Sequence, residues 1–141
     1  SIIELLIVLA IIGIIVGIAV MTGRPIVRNQ EHHAAVRSMQ QSVWQGATMA
    51  ASRGVGTSLV YTGSALEVRN GTTSAVIRTF ELPDGASVNV PAGTAFLQFT
   101  PPGKVSAASL ASLPDPFRIT TIGGVFDLEV SLIGEVRVTG N

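Results

Sequence analysis

The first 23 residues, SIIELLIVLAIIGIIVGIAVMTG, constrain this chain more than any other stretch. From Ile2 to Met21 they form an almost unbroken apolar run, interrupted by one charge, Glu4. At ~1.5 Å rise per residue, a helix of about 20 residues spans roughly 30 Å, the hydrocarbon thickness of a bilayer. A carboxylate near the start of such a helix is expensive in lipid and marks function by default. The helix must find an apolar setting, and Glu4 must find a partner or reach water. A secretory signal peptide would need a basic start and a shorter apolar core, and this segment has neither. Arg24 and Arg28 follow the run. Taken alone, they put the C-terminal side in the cytoplasm, an orientation that loses its support if a basic leader has been removed ahead of Ser1.

The 141 residues suffice for this helix and one domain of about 100 residues. Nine basic and nine acidic residues cancel, so bulk charge gives no argument for nucleic acid. The absence of cysteine excludes disulfides, CxxC redox pairs and thiolate metal sites.

Three segments follow from the pattern: 1–25, a transmembrane or filament-core helix; 26–56, an amphipathic second half of the same helix; and 57–141, an antiparallel β domain. Gly23-Arg24-Pro25 predicts a kink or loosened stretch between Gly13 and Pro25, or else two helices joined by a break. Beyond it Ile26, Val27, Val36, Met39, Val43, Trp44, Ala47 and Ala50 recur at helical steps, with Trp44 expected in the core under a sheet. Gly54 and Gly56 stop the helix. From Thr57 the period becomes two. Strands are expected at Ser58–Tyr61, Ala65–Arg69, Thr73–Leu82, Ala86–Val90, Ala95–Thr100, Phe117–Thr121, Val125–Val130 and Glu135–Thr139. Asn70-Gly71 is a two-residue hairpin signal, and Ser106–Ser112 is a helical turn or a loop. The fold class is α+β, with the second half of the helix packed on an antiparallel sheet.

No enzyme is implied. There is no Gly-x-Ser-x-Gly elbow and no phosphate-cradling loop. His32 and His33 are adjacent and diverge by about 100° on a helix, so they do not form one metal face. No cofactor and no metal is expected. Gly13 and Gly17 form a small-xxx-small pair that admits a close helix neighbour, although glycine is common in membrane helices anyway.

SIIELLIVLAIIGI resembles the mature N-terminus of type IV pilins and of the pseudopilins of type II secretion. Ser1, Ile2, Ile3, Glu4, Leu5 and Leu6 fit that motif, and Gly13 stands at its glycine. The methylated residue that the motif places before Ser1 lies outside this sequence. The closing DLEVSLIGEVRV and the segment LQFTPPGKVS resemble the GspH/FimT group of minor pilins and pseudopilins. The resemblance implies a pilin-like fold and a subunit that polymerises through its N-terminal helix with identical or related subunits. It implies that Glu4 meets the N-terminal amine of the adjoining subunit; an anchor helix with Glu4 at the bilayer interface is the simpler alternative. Gly13, Gly17, Gly23 and Pro25 would serve helix packing or local unwinding on leaving lipid. The inner membrane, a prepilin peptidase and an assembly platform are the implied partners. The implied location is the inner membrane before assembly, and afterwards a cell-surface filament, or the periplasm for a pseudopilus. The alternative is a minor subunit that binds DNA or a surface. In DNA-binding members the last strand follows Gly-Arg-x-Arg; here it is Gly134-Glu135-Val136-Arg137, which weighs against DNA. Arg118 and Arg137, if on neighbouring strands, are the candidates for a small basic patch.

Overall fold

The computed structural model describes the backbone over residues 1–140, and side-chain surroundings over the same residues except 21–29 and 32. It is an α+β structure with two compact units, Ser1–Gln30 and Glu31–Asn141, each considered by itself.

Helix α1 is assigned over Ile2–Arg53. The backbone is helical at Gly13, Gly17, Gly23 and Pro25, so the alternative of two helices joined by a break is not what forms. Proline inside a helix removes one hydrogen bond, at a cost of about 3 kcal/mol, and a long helix can absorb that single loss. The expectations for Ile26, Val27 and His32 as stripe or surface side chains fall outside the described side chains. Helix α1 ends at Arg53, a cation in its last turn, and Gly54 follows at φ 63°, the left-handed position that closes a helix.

In the second unit, Ala35, Val36, Met39, Val43 and Ala50 are buried at helical spacing. They join a core made with Leu59, Leu66, Val68, Leu97 and Phe99. Phe99, 1% exposed, lies directly over Gly46: a Cβ there would stand 2.5 Å from the ring. The absent side chain is therefore the space the ring occupies. Beside it the Thr57 hydroxyl donates to Gly46 O at 2.7 Å, tying the start of the first strand to the helix. Trp44 is not in this core but 63% exposed. At about 100° per residue it stands roughly 140° from Met39, so a face centred on Met39, Val43 and Gly46 turns it outward.

The described strands form two antiparallel sheets rather than one. The first has the order β3-β2-β1-β5-β6: β1 Thr57–Tyr61, β2 Ala65–Asn70, β3 Val76–Glu81, β5 Ala95–Thr100 and β6 Lys104–Val105. The second has the order β4-β7-β8-β9: β4 Ser87–Val88, β7 Phe117–Thr121, β8 Gly124–Val130 and β9 Val136–Gly140. β4 pairs with β7 and leaves the first sheet, because the Asn89 side chain locks it there. Its Oδ1 accepts from Arg118 N and its Nδ2 donates to Pro116 O. Phe96 and Phe117 join the two sheets with ring centroids 6.0 Å apart. Ser106–Ser112 contains a short helix, α2, over Ala107–Ala111.

Helix α1 also covers an edge of each sheet. Ser38 donates to Glu81 O on β3, and Gln40 donates to Val136 O on β9. Both carbonyls belong to outer strands, where unpaired backbone groups otherwise invite strange partners.

The expected two-residue hairpin at Asn70-Gly71 is a wider loop, since β3 starts only at Val76. Asn70 Oδ1 accepts from Thr72 N and Thr73 N, which turns the chain before a tight hairpin can close.

Gly46→Ala should cost about 1–3 kcal/mol of unfolding free energy by overpacking against Phe99. Trp44→Ala should change it by less than about 0.5 kcal/mol, as exposed surface substitutions do. Chemical denaturation of the two variants measures both, and the opposite ranking would refute this assignment of the helix face.

Candidate functional site

The first unit has the chemistry that stands out. Helix residues Ile2–Val20 are long and apolar enough to cross a membrane, and none of that span is buried. Such a surface is stable only in lipid or against another apolar surface. Glu4 projects from the first turn with its side chain 83% exposed, and the Ser1 nitrogen lies 3.5 Å from its Oε2. Ser1, Glu4, Leu5 and Val8 line one groove along the first two turns. An amine placed there by a neighbouring molecule would meet the carboxylate between aliphatic walls. In apolar surroundings that partnership is strongly favoured, because an unpaired buried carboxylate costs several kcal/mol, order of magnitude.

Gly13 and Gly17 lie one turn apart, and an added Cβ at either would meet nothing within 4 Å. Among the described residues nothing packs at these positions, so they leave room for close approach by another helix. Gly23 and Pro25 have helical backbone, and their side-chain surroundings lie outside the described set.

The candidate DNA residues are placed differently from the expectation. Arg118 is on β7 and Arg137 on β9, with β8 between them. The intervening strand presents Asp127 opposite Arg118 and Glu129 opposite Arg137. Arg118 Nε donates to Asp127 Oδ1 at 2.6 Å. Arg137 donates to both carboxylate oxygens of Glu135, at 2.9 and 3.1 Å. That hydrogen bonding, with the nearby charges of Glu135 and Glu129, raises the Arg137 pKa above its ordinary value. Both arginines are well exposed, so these pairs add little stability, at most about 1 kcal/mol for the Arg118 pair. Their effect is to cancel the positive charge a phosphate would need. Elsewhere Arg69 pairs with Glu67 at 2.6 Å, and the Arg78 guanidinium lies 5.6 Å from the Phe80 ring centroid. The aromatic beside Arg78, overlooked in the sequence, is thus engaged by the chain's own cation. Its i, i+2 spacing on a strand was the available signal.

Among the described residues no group of three or more His, Cys, Asp or Glu is arranged to hold a metal. A cleft of about 490 Å³ beside α2 includes Asp115, Phe117 and Glu129 in its wall, without a described histidine or cysteine among them. Compared with known proteins, the chain matches no family model, no curated protein and no solved structure.

With Arg118 and Arg137 paired to acids, the whole chain in detergent should not shift a short DNA duplex at low salt. Binding that weakens steeply as salt rises would show that the pairs open to phosphate.

Proposed function

We propose that this chain is a structural subunit, a pilin-like protein of a type IV pilus or related filament, polymerising through its N-terminal helix. The observation that carries the reading is the wholly exposed apolar span Ile2–Val20 with a single carboxylate at Glu4, ahead of a β domain that has a core of its own. The helix resides in the inner membrane before assembly and in a bundle of like helices afterwards. The β domains then form the outside of a cell-surface filament, or of a periplasmic pseudopilus in a secretion machine. A prepilin peptidase and an assembly platform are the partners this entails. The role is structural rather than enzymatic.

The transfer from lipid to helix bundle is nearly neutral in hydrophobic terms, since lipid tails are as apolar as aliphatic side chains. Van der Waals packing and polar pairing must supply the preference. Gly13 and Gly17 supply the first by letting helices approach. Glu4 supplies the second: pairing with the amine of the adjoining subunit removes an uncompensated charge from an apolar setting. The second reading is a minor subunit of GspH/FimT type at a filament tip, holding a surface or DNA. The engagement of Arg137 by Glu135 disfavours the DNA form of that reading.

Glu4→Ala and Glu4→Gln should leave membrane insertion intact and abolish, or reduce by at least about tenfold, the filament material sheared from cells. Electron microscopy with mass spectrometry of the sheared fraction, beside membrane fractionation of the same cells, separates the two steps. Normal filaments from either variant would remove the pairing role. Absence of the unaltered chain from any filament would leave a simple membrane-anchored β domain.

A further inference from the structure

The Asn70-Gly71 bond is chemically the most labile peptide step of its kind in the chain, and the fold holds every group that would react there. Asparagine is thermolabile, and a following glycine offers no side chain to shield the peptide nitrogen. Gly71 N donates to Gly56 O at 2.8 Å. A Cβ on Gly71 would itself stand 2.8 Å from that oxygen, so only glycine makes this approach. Asn70 Oδ1 accepts from Thr72 N at 2.8 Å and Thr73 N at 3.0 Å. The Asn70 backbone is held as well, its N donating to Ala75 O and its O accepting from Ser74 N, both at 2.9 Å. Ser74 adopts φ 57°, a left-handed conformation that the loop keeps against its preference.

We propose that Asn70-Gly71 is a self-modification site gated by the fold, closed while these hydrogen bonds persist and reactive when the 71–75 loop lifts away. In the reaction, Gly71 N gives its proton to solvent hydroxide and attacks Asn70 Cγ. The new C–N bond closes a five-membered imide. The bond to Nδ2 breaks, and ammonia leaves with a proton from solvent. Water then adds to one imide carbonyl or the other, leaving aspartate or isoaspartate in place of Asn70. One water is consumed and one ammonia released, with no redox change. In the folded chain the Gly71 proton is committed to Gly56 O. The Asn70 side-chain carbonyl is fixed by two N–H donors, so Cγ is not free to swing toward the nitrogen.

The two products differ in what the fold can accept. Aspartate keeps an oxygen for Thr72 N and Thr73 N and adds one negative charge to an exposed loop. Isoaspartate inserts an extra carbon into the backbone between two anchored N–H groups, those of Asn70 and Gly71. Both anchors cannot then be kept, and the β2–β3 connection must rearrange. This chemistry is independent of whether the chain polymerises.

The test follows conversion at Asn70 by peptide mapping and mass spectrometry, with the whole chain folded in detergent and the same chain unfolded in guanidinium at one pH and temperature. Conversion in the folded protein should be at least about tenfold slower, because only the fraction with the loop open reacts. Equal rates, or a faster folded reaction, would overturn the proposal. Ser74→Val puts a β-branched residue at positive φ and strains the loop without touching the reacting pair. It should raise the folded rate and leave the unfolded rate alone; an unchanged folded rate would also overturn the gate. The comparison on the unaltered protein stands even where that variant does not fold.

Discussion

The seating of Phe99 on Gly46 sets the depth at which helix α1 lies against the first sheet. Several contacts in the second unit depend on that depth. A helix this close lets the Thr57 hydroxyl reach Gly46 O and puts Met39 and Val43 in one core with Leu59 and Leu97. It lets Gly103 and Gly134, both at positive φ, bring their turns against Ala47. A methyl group at position 46 would lift the helix off all of these together. The same close approach puts Ser38 and Gln40 within reach of outer-strand carbonyls. One helix therefore serves as core layer and as edge cover for two sheets, leaving fewer unpaired backbone groups open to strange partners.

The first unit obeys the opposite rule. The apolar span Ile2–Val20 is wholly exposed, an added Cβ at Gly13 or Gly17 would meet nothing within 4 Å, and the exposed Glu4 carboxylate lies beside the Ser1 nitrogen. Internal packing explains the second unit and explains none of these features of the first. A surface of that kind is stable only in lipid or against another apolar surface.

Much of this was legible in the sequence because periodicity carries it. The apolar run and Glu4 need no tertiary information. The strands Ala95–Thr100 and Phe117–Thr121 follow from alternation alone. Where the reading missed, it missed for want of phase or of a long-range partner. Trp44 satisfies helical spacing with Ala47 yet points away, since a stripe's centre is decided by what packs on it. Asn70-Gly71 has the composition of a tight hairpin, but Asn70 turns its side chain onto its own loop and Gly71 is drawn to Gly56. The division into two sheets rests on Asn89 reaching the backbone of Pro116 and Arg118, a contact with no local signature.

Sequence by itself determined the α+β class, the apolar helix with its lone early carboxylate, and the alternating strands, because each is a matter of residue type at short spacing. Only the tertiary structure decided the face of the helix, the splitting of the strands into two sheets and the pairing of Arg118 and Arg137 with acids. Those depend on which distant residues share a few ångströms. Glu135 acquires its meaning from the guanidinium it holds, and that is a fact of three-dimensional position.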